Sequence, residues 1–339
     1  MAPRAPALQF VPYGTLDGAP NVVVDGSPTA GTVLCLSHWP GIESPPEFAA
    51  DTSAEMAFAY LGAFDRHDGA HAVSNNHFDQ DGLVAVFALT APGEALERQG
   101  LLVDVARAGD FATFSSRDAA HVSMVISAFA DPERSPVADL VALTDDSQRT
   151  ASLYEELLAR LREMSDHPDR FHDLWAEEEA TLAASEAAIA SGAVSITEVD
   201  DIDLAVVTVA PTAPVLGGHR FVGAWLHGVH PMAVYNCTRR SAVLTIRGRA
   251  CELTYRYEGW VQYRSQAVRP RVDLAPLAAL LNAEETAAGT WVAQPVSALT
   301  PTLALRGCAE SGIPVPRLRA LVESHLRSAP PAWDPFPPT

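Results

Sequence analysis

The chain contains no lysine: all 23 basic residues are arginine, set against 42 acidic ones, for a formal net charge of −19. That balance argues against tight non-specific binding to duplex nucleic acid, whose affinity comes from neutralised phosphates. Cysteine is scarce, and Cys35, Cys237, Cys251 and Cys308 show no C-x-x-C spacing, so neither a zinc ribbon nor a disulfide framework is expected. No stretch approaches the roughly 18 consecutive apolar residues that a membrane-spanning helix needs. The opening "MAPRAPALQFVPYG" has no apolar run followed by a small-residue cleavage site. These absences predict a reduced, cytoplasmic protein with no membrane partner. A G-x-S-x-G elbow, a P-loop and a dinucleotide fingerprint are missing too, which leaves Ser-His hydrolysis and Rossmann-type oxidoreduction without support.

What is present is a globular composition, 48% hydrophobic and 19% charged, over 339 residues, beyond the size at which a single core usually stops growing. Two domains are expected. "NVVVDG" (21–26) and "TVLCLSH" (32–38) read as short buried strands. "DTSAEMAFAYLGAFDRH" (51–67) opens on residues that cap helices, with Glu55 three after Thr52 as in a capping box. "DGLVAVFALT" and "LLVDVARAGDF" are apolar runs that continue this alternation and suggest a largely parallel sheet. Between 151 and 191 the pattern turns to Ala, Leu, Glu and Arg at helical period. Beyond it, "VSITEVD", "IDLAVVTVA", "HPMAVYNCT", "SAVLTIRG" and "CELTYRYEGWVQYRS" read as β-type segments, and "DLAPLAALLNAEE" (273–285) as a helix with Pro276 in its first turn. The expected fold is α/β: an N-terminal domain over 1–150 with a largely parallel sheet, a helical connector over 151–195, and a smaller α+β domain over 196–330.

The chemistry-bearing residues collect where apolar runs end. "SNNHFDQDGLV" holds His77, Asp79 and Asp81 on alternating positions before a glycine; Asp25 follows "VVV", His38 follows "VLCLS", and Asp110 lies in "AGDF". In an open α/β sheet, ligands bind beyond the carboxyl ends of the strands, so these groups are candidates to meet on one rim. Mixed imidazole and carboxylate donors suit Mn²⁺ or a similar divalent ion, and two such ions sharing an aspartate could clamp a phosphoryl oxygen and activate a water. The same Asp, Asn and Gly residues are also what an ordinary turn and helix cap prefer.

"NHFDQDGLV" resembles the first motif of the DHH phosphoesterase superfamily, H-x-D-x-D-G. "LSHWPG" is similar to the motif that names that superfamily, with Ser37 and Trp39 in place of its first aspartate and second histidine. "VVVDG" and "AGDF" resemble its single-aspartate motifs. The order differs, because here the H-x-D-x-D element follows the "LSHW" element. The resemblance implies metal ligands Asp25, His38, His77, Asp79, Asp81 and Asp110, with His38, His77 and Asp79 in catalytic roles and one or two Mn²⁺ or other divalent ions as cofactor. It implies hydrolysis of a small phosphorylated molecule or short oligonucleotide, or, given the losses at 37 and 39, a non-catalytic ligand-binding protein that keeps the fold. "VRPRVDLAPLAALLNAEETAAGTWVA" is similar to part of the family's small substrate domain, without its glycine-histidine loop. The whole sequence looks closer still to an uncharacterised bacterial family of unknown function with "RYE-WVQ" and "PRVDL" strings.

Residues 220–271 hold nine arginines against Glu252 and Glu258. They read either as solvated strand faces or as phosphate contacts, with Arg256, Arg264 and Arg271 expected to bind phosphate through bidentate guanidinium geometry. On a continuous strand Arg256, Trp260 and Arg264 would share a face that could stack a base. Among His219, His227 and His230, His227 and His230 are candidates to face the substrate.

Overall fold

In the computed structural model the described residues are 7–63, 69–213 and 226–336. They fall into two compact units. One runs to Glu179 and also takes in Tyr263–Ser265; the other holds Ala180–Gln262 and the chain from Gln266 onward.

The first unit begins with β1 (Gln9–Phe10), β2 (Asn21–Val24) and β3 (Thr32–Leu36), followed by α1 (Ser53–Gly62) and β4 (Ala72–Ser74). These strands form one all-parallel sheet in the order β1-β4-β2-β3. Parallel strands end on the same rim, so the residues that leave β4, β2 and β3 emerge side by side, those of β2 in the middle. The capping box expected at the start of α1 is formed: Thr52 Oγ1 accepts from the Glu55 amide, and the Thr52 amide donates back to Glu55.

After β4 come α2 (Gln80–Thr90), α3 (Pro92–Glu97), α4 (Gln99–Asp110), α5 (Arg117–Phe129), α6 (Ala138–Val141), α7 (Asp146–Leu158), α8 (Leu161–Asp166) and α9 (His172–Ala190), and the division between the units falls inside α9. The apolar run "DGLVAVFALT" is a helix. Residues 80–89 are all buried, and a helix buried all round has no amphipathic period to set it apart from a core strand. α2 packs on β1, β2 and β4 beneath, and against α1, α4 and α5. Gln80 ties it to α5 by donating to Ser123 O, Ser123 Oγ and Ser127 Oγ. "LLVDVARAGDF" is helical as well: Leu102, Val105 and Ala106, at i, i+3 and i+4, are the buried face of α4.

The second unit is built on β5 (Val194–Val199), β6 (Leu204–Val209), α10 (Pro231–Tyr235), β7 (Ala242–Arg247), β8 (Ala250–Tyr255), β9 (Arg271–Val272), α11 (Ala275–Glu284), β10 (Thr290–Ala293), β11 (Thr302–Arg306), α12 (Val315–Ser328) and β12 (Pro331–Trp333). Its main sheet has the order β10-β11-β8-β7-β6-β5, antiparallel except for the pair β6–β7. Leu244, Leu253 and Leu303 face α11 and α12 through Leu277, Leu281, Leu318 and Val322, while Ala205, Val207 and Val243 on the other side meet Val229 and Val234. The chain is thus a mixed α/β protein with a parallel N-terminal sheet, a helical middle and a mixed C-terminal sheet with helices.

Two of the β-type readings change. "HPMAVYNCT" forms α10, with Pro231 at the first helical position, where a missing N–H costs nothing. "CELTYRYEGWVQYRS" is a strand only to Tyr255, and a 3-10 turn at Tyr257–Gly259 ends the alternation.

Candidate metal centre

Three adjacent strand ends supply most of the site. Asp25 follows β2, His38 lies two residues beyond β3, and the loop after β4 carries His77, Asp79 and Asp81 into the first turn of α2. Asp110 enters from the last residue of α4, not from a strand.

Asp25 occupies the centre. Its backbone is left-handed, with φ 46°, a conformation that aspartate tolerates better than most residues and that recurs at functional positions. The side chain is buried between the two imidazoles: Oδ1 lies 3.4 Å from His38 Nε2, and Oδ2 lies 3.3 Å from His77 Nε2. Around it stand two triads whose ligand atoms are mutually within 4.8 Å, Asp25–His38–Asp81 and Asp25–His77–Asp79. Asp110 Oδ2 is 3.5 Å from His38 Nε2. The structure therefore brings together all six residues named from the sequence as ligands, with Asp25 common to both triads.

Each ligand is oriented by a second contact. His38 Nδ1 donates to the Asp51 carbonyl at 2.5 Å, which turns Nε2 toward the carboxylates. Main-chain orientation of this kind is the usual support of a metal-binding histidine. Asp81, wholly buried, accepts from the Ser53 and Ala54 amides at 2.7 Å each, at the N-terminus of α1, where the helix favours negative charge. Ser53 Oγ donates to Asp25 Oδ1 at 3.0 Å. Asp79 caps α2: Oδ1 accepts from the Gly82 amide at 2.8 Å while Oδ2 lies 3.0 Å from His77 Nε2. His77 Nδ1 faces Asn76 Oδ1 at 3.2 Å.

The imidazoles and the carboxylates around them compensate one another's charge. Burial opposes a charge on His38, yet Asp25 and Asp81 outweigh it and push its pKa up to about 9. Burial likewise opposes a charge on His77, and Asp79 with Asp25 push it up to about 11. Burial raises Asp25, but its contacts with both imidazoles prevail and hold it well below the carboxylate range. Asp81 is raised to about 8 by burial and by the charge of Asp25. Without a metal, the imidazolium protons offset the carboxylates; a divalent cation would take over that task on binding, as it does wherever metal ligands must first be deprotonated. Mixed imidazole and carboxylate donors, with no thiolate, are compatible with several divalent ions.

Two glycines leave room for this arrangement. A Cβ on Gly26 would sit 2.6 Å from Asn76 Oδ1, and one on Gly82 would lie against Asn75 Nδ2 and 2.6 Å from Tyr154 Oη. The glycine that ends H-x-D-x-D-G is thus a packing requirement. Ser37 and Trp39 flank His38 differently: Ser37 Oγ accepts the Trp39 amide within its own turn, and the Trp39 ring lies beside His77 with centroids 5.2 Å apart.

The expected substrate residues fare otherwise. Arg271 is fully buried, and its guanidinium donates to the carbonyls of Arg256, Val296, Ala298 and Leu299. Arg256 is also buried, donating to the Thr238 carbonyl and paired with Glu258, with its guanidinium over the Tyr235 ring. Neither is available to a phosphate: a guanidinium drawn into the interior must be satisfied there, and carbonyl groups do that. Trp260 does not share a strand face with them, since the strand has ended; its ring stacks with those of Tyr257 and Trp333. Arg240 is engaged by Glu198 and Asp200, Arg249 by the Ser311 carbonyl and Arg269 by the Asp201 carbonyl. His230 is buried as the cap of α10, its Nδ1 accepting the Met232 amide. His227 has left-handed backbone and is half-buried. His219 and Arg220 lie outside the described residues. Arg264 is exposed, and its amide, with that of Ser265, donates to Asp51 Oδ1.

Sequence reasoning missed the supporting residues. Asp51 and Ser53 were visible only as cap residues, and nothing in the local pattern pointed to Asn75 or Tyr154.

The parallel α/β unit thus gathers two imidazoles and three carboxylates at its strand ends, joined by Asp110 from α4, in a cluster whose donors could hold a metal ion. The chain belongs to a family of unknown function (DUF6687), which it matches over residues 6–337. No curated protein and no solved structure matches it. Among the described residues no helix is long and apolar enough to cross a membrane.

Proposed function

We propose that the chain is a divalent-cation-dependent phosphoesterase of DHH-like type, acting on a small phosphorylated molecule or a short oligonucleotide. The observation that supports this most is Asp25, buried with one carboxylate oxygen toward each of two imidazoles and shared by two ligand triads. One or two ions of the Mn²⁺ class held by Asp25, His38, His77, Asp79, Asp81 and Asp110 would supply Lewis-acid stabilisation of phosphoryl oxygens and activation of a water. The chain's own residues set the geometry. The Asp51 carbonyl holds the His38 ring, the first turn of α1 holds Asp81, and the Gly82 amide holds Asp79 so that its second oxygen faces His77. Arg264, the exposed arginine whose backbone is anchored on Asp51, is the proposed phosphate contact. The net charge of −19 disfavours duplex DNA as substrate.

A second reading is favoured by Ser37 and Trp39. With a hydroxyl occupied in its own turn and an indole beside His77, the site could bind a cation and ligand without turning over substrate. The test is Mn²⁺-dependent hydrolysis of phosphodiester and pyrophosphate substrates by the purified chain. The phosphoesterase reading expects Mn²⁺-dependent turnover that falls to background in the Asp79→Ala/Asp81→Ala double variant. Bound Mn²⁺ without turnover selects the binding reading, and activity that survives the double substitution removes this site from both.

A further inference from the structure

Tyr154 projects from α7, nearly eighty positions beyond the H-x-D-x-D loop in sequence, and its side chain is wholly buried. Its ring packs edge-on against Phe78, the residue between His77 and the Gln80 end of the loop, at 5.3 Å and 79°, and stacks on Phe10 at 4.9 Å. Its hydroxyl and the Asn75 side-chain amide converge over the Cα of Gly82, whose own amide holds Asp79 Oδ1. Asn75, buried too, uses its other end on the loop: Oδ1 accepts the His77 amide at 3.0 Å, which also fixes the orientation of its NH₂ toward the tyrosine. Tyr154 Oη and Asn75 Nδ2 thus lie close together over Gly82, both buried and neither with another hydrogen-bond partner among the described residues; Asn75 continues to the His77 main chain, and the Tyr154 ring reaches Phe78. Both connections end on the segment that presents His77 and Asp79. Burial, followed by the charges of Asp79, Asp25 and Asp81, raises the phenol well above its ordinary pKa, so the hydroxyl stays protonated with its oxygen beside the Asn75 amide nitrogen.

We propose that Tyr154, acting through Asn75, is a positioning residue for the cation centre, and that its hydroxyl sets the loop geometry at which His77 and Asp79 can ligate together. A phenylalanine would supply the same ring packing on Phe10 and Phe78, so packing alone does not account for a hydroxyl buried at this point. Groups that support metal ligands from behind carry much of a site's affinity: their loss typically costs about 10–100-fold. The inference rests on the reading of the site as a cation centre.

The test is a Mn²⁺ titration of the full chain followed by electron paramagnetic resonance, with the melting temperature of each metal-free protein measured alongside. Tyr154→Phe is expected to bind Mn²⁺ about 10-fold or more weakly, with an altered bound-ion spectrum and a melting temperature close to that of the parent. Asn75→Ala should show a comparable loss, and the double variant no further loss, since coupled residues are non-additive. Asn75→Ala carries the same test if Tyr154→Phe fails to fold. Wild-type affinity and an unchanged spectrum in the folded variants would overturn the positioning role while leaving the centre in place. Absence of saturable Mn²⁺ binding by the parent chain would remove the cation reading, and this inference with it.

Discussion

Replacing Asp25 by asparagine is expected to abolish saturable divalent-cation binding while leaving the fold intact. Asparagine has the same shape, tolerates the left-handed backbone at φ 46°, and can still accept the hydrogen bond from Ser53 Oγ. What it lacks is the charge that lies between His38 and His77 and the second anionic oxygen that allows one residue to serve both triads. The loss should therefore exceed the roughly 10–100-fold associated with supporting residues. The metal-free fold should lose some stability, because the contacts of Asp25 with both imidazoles outweigh the cost of its burial and its charge therefore favours the folded chain. The measurement is thermal unfolding with and without Mn²⁺. At about 100 times its dissociation constant an ion stabilises the parent by about 2.7 kcal/mol; the Asp25→Asn protein should show no such gain over its own metal-free melting temperature. An equal gain in both proteins would mean that Mn²⁺ binds elsewhere.

Arg271→Leu should have a different signature, a loss of stability in the second unit. Arg271 threads the interior of that unit and satisfies carbonyl groups of four residues with one guanidinium. Burial lowers its pKa to about 10, still high enough for it to stay charged at neutral pH. Leucine would fill much of the volume but would leave those carbonyls without a donor. A buried unsatisfied acceptor costs about 1–3 kcal/mol; the Arg256 carbonyl is such a group, while those of Val296, Ala298 and Leu299 are partly open to water, so a net loss of about 2 kcal/mol is expected. Urea unfolding would measure it. A change below about 1 kcal/mol would show that the carbonyls find other partners and that Arg271 is free for a role in binding.

The contrast between these residues shows where the sequence was informative. Asp25, His38 and the H-x-D-x-D loop were legible because they sit at the ends of short β-branched runs, and a parallel sheet places such ends on one rim whatever the loops do. The capping box at Thr52 was legible for the same local reason. Asp110 was named through a mistaken element: the run before it is the helix α4, and the aspartate reaches the site from a helix C-terminus. α2 was ambiguous because it is buried all round, which erases the periodicity that separates helix from strand. The arginines of the second half misled because guanidinium groups that satisfy carbonyls deep in a core look, in sequence, like those that wait for phosphate. Only the tertiary path of the chain tells them apart. Asn75 and Tyr154 were invisible for a related reason, since the fact that matters about them is a long-range meeting over Gly82.

The central claim, that these side chains form one cation centre, is tested most directly by anomalous diffraction from crystals of the chain grown with Mn²⁺. The account predicts one or two anomalous peaks within coordination distance of Asp25, with His38 or His77 nitrogen among the nearest atoms. A well-ordered site with no peak at Asp25, or with manganese bound only elsewhere on the molecule, would contradict it.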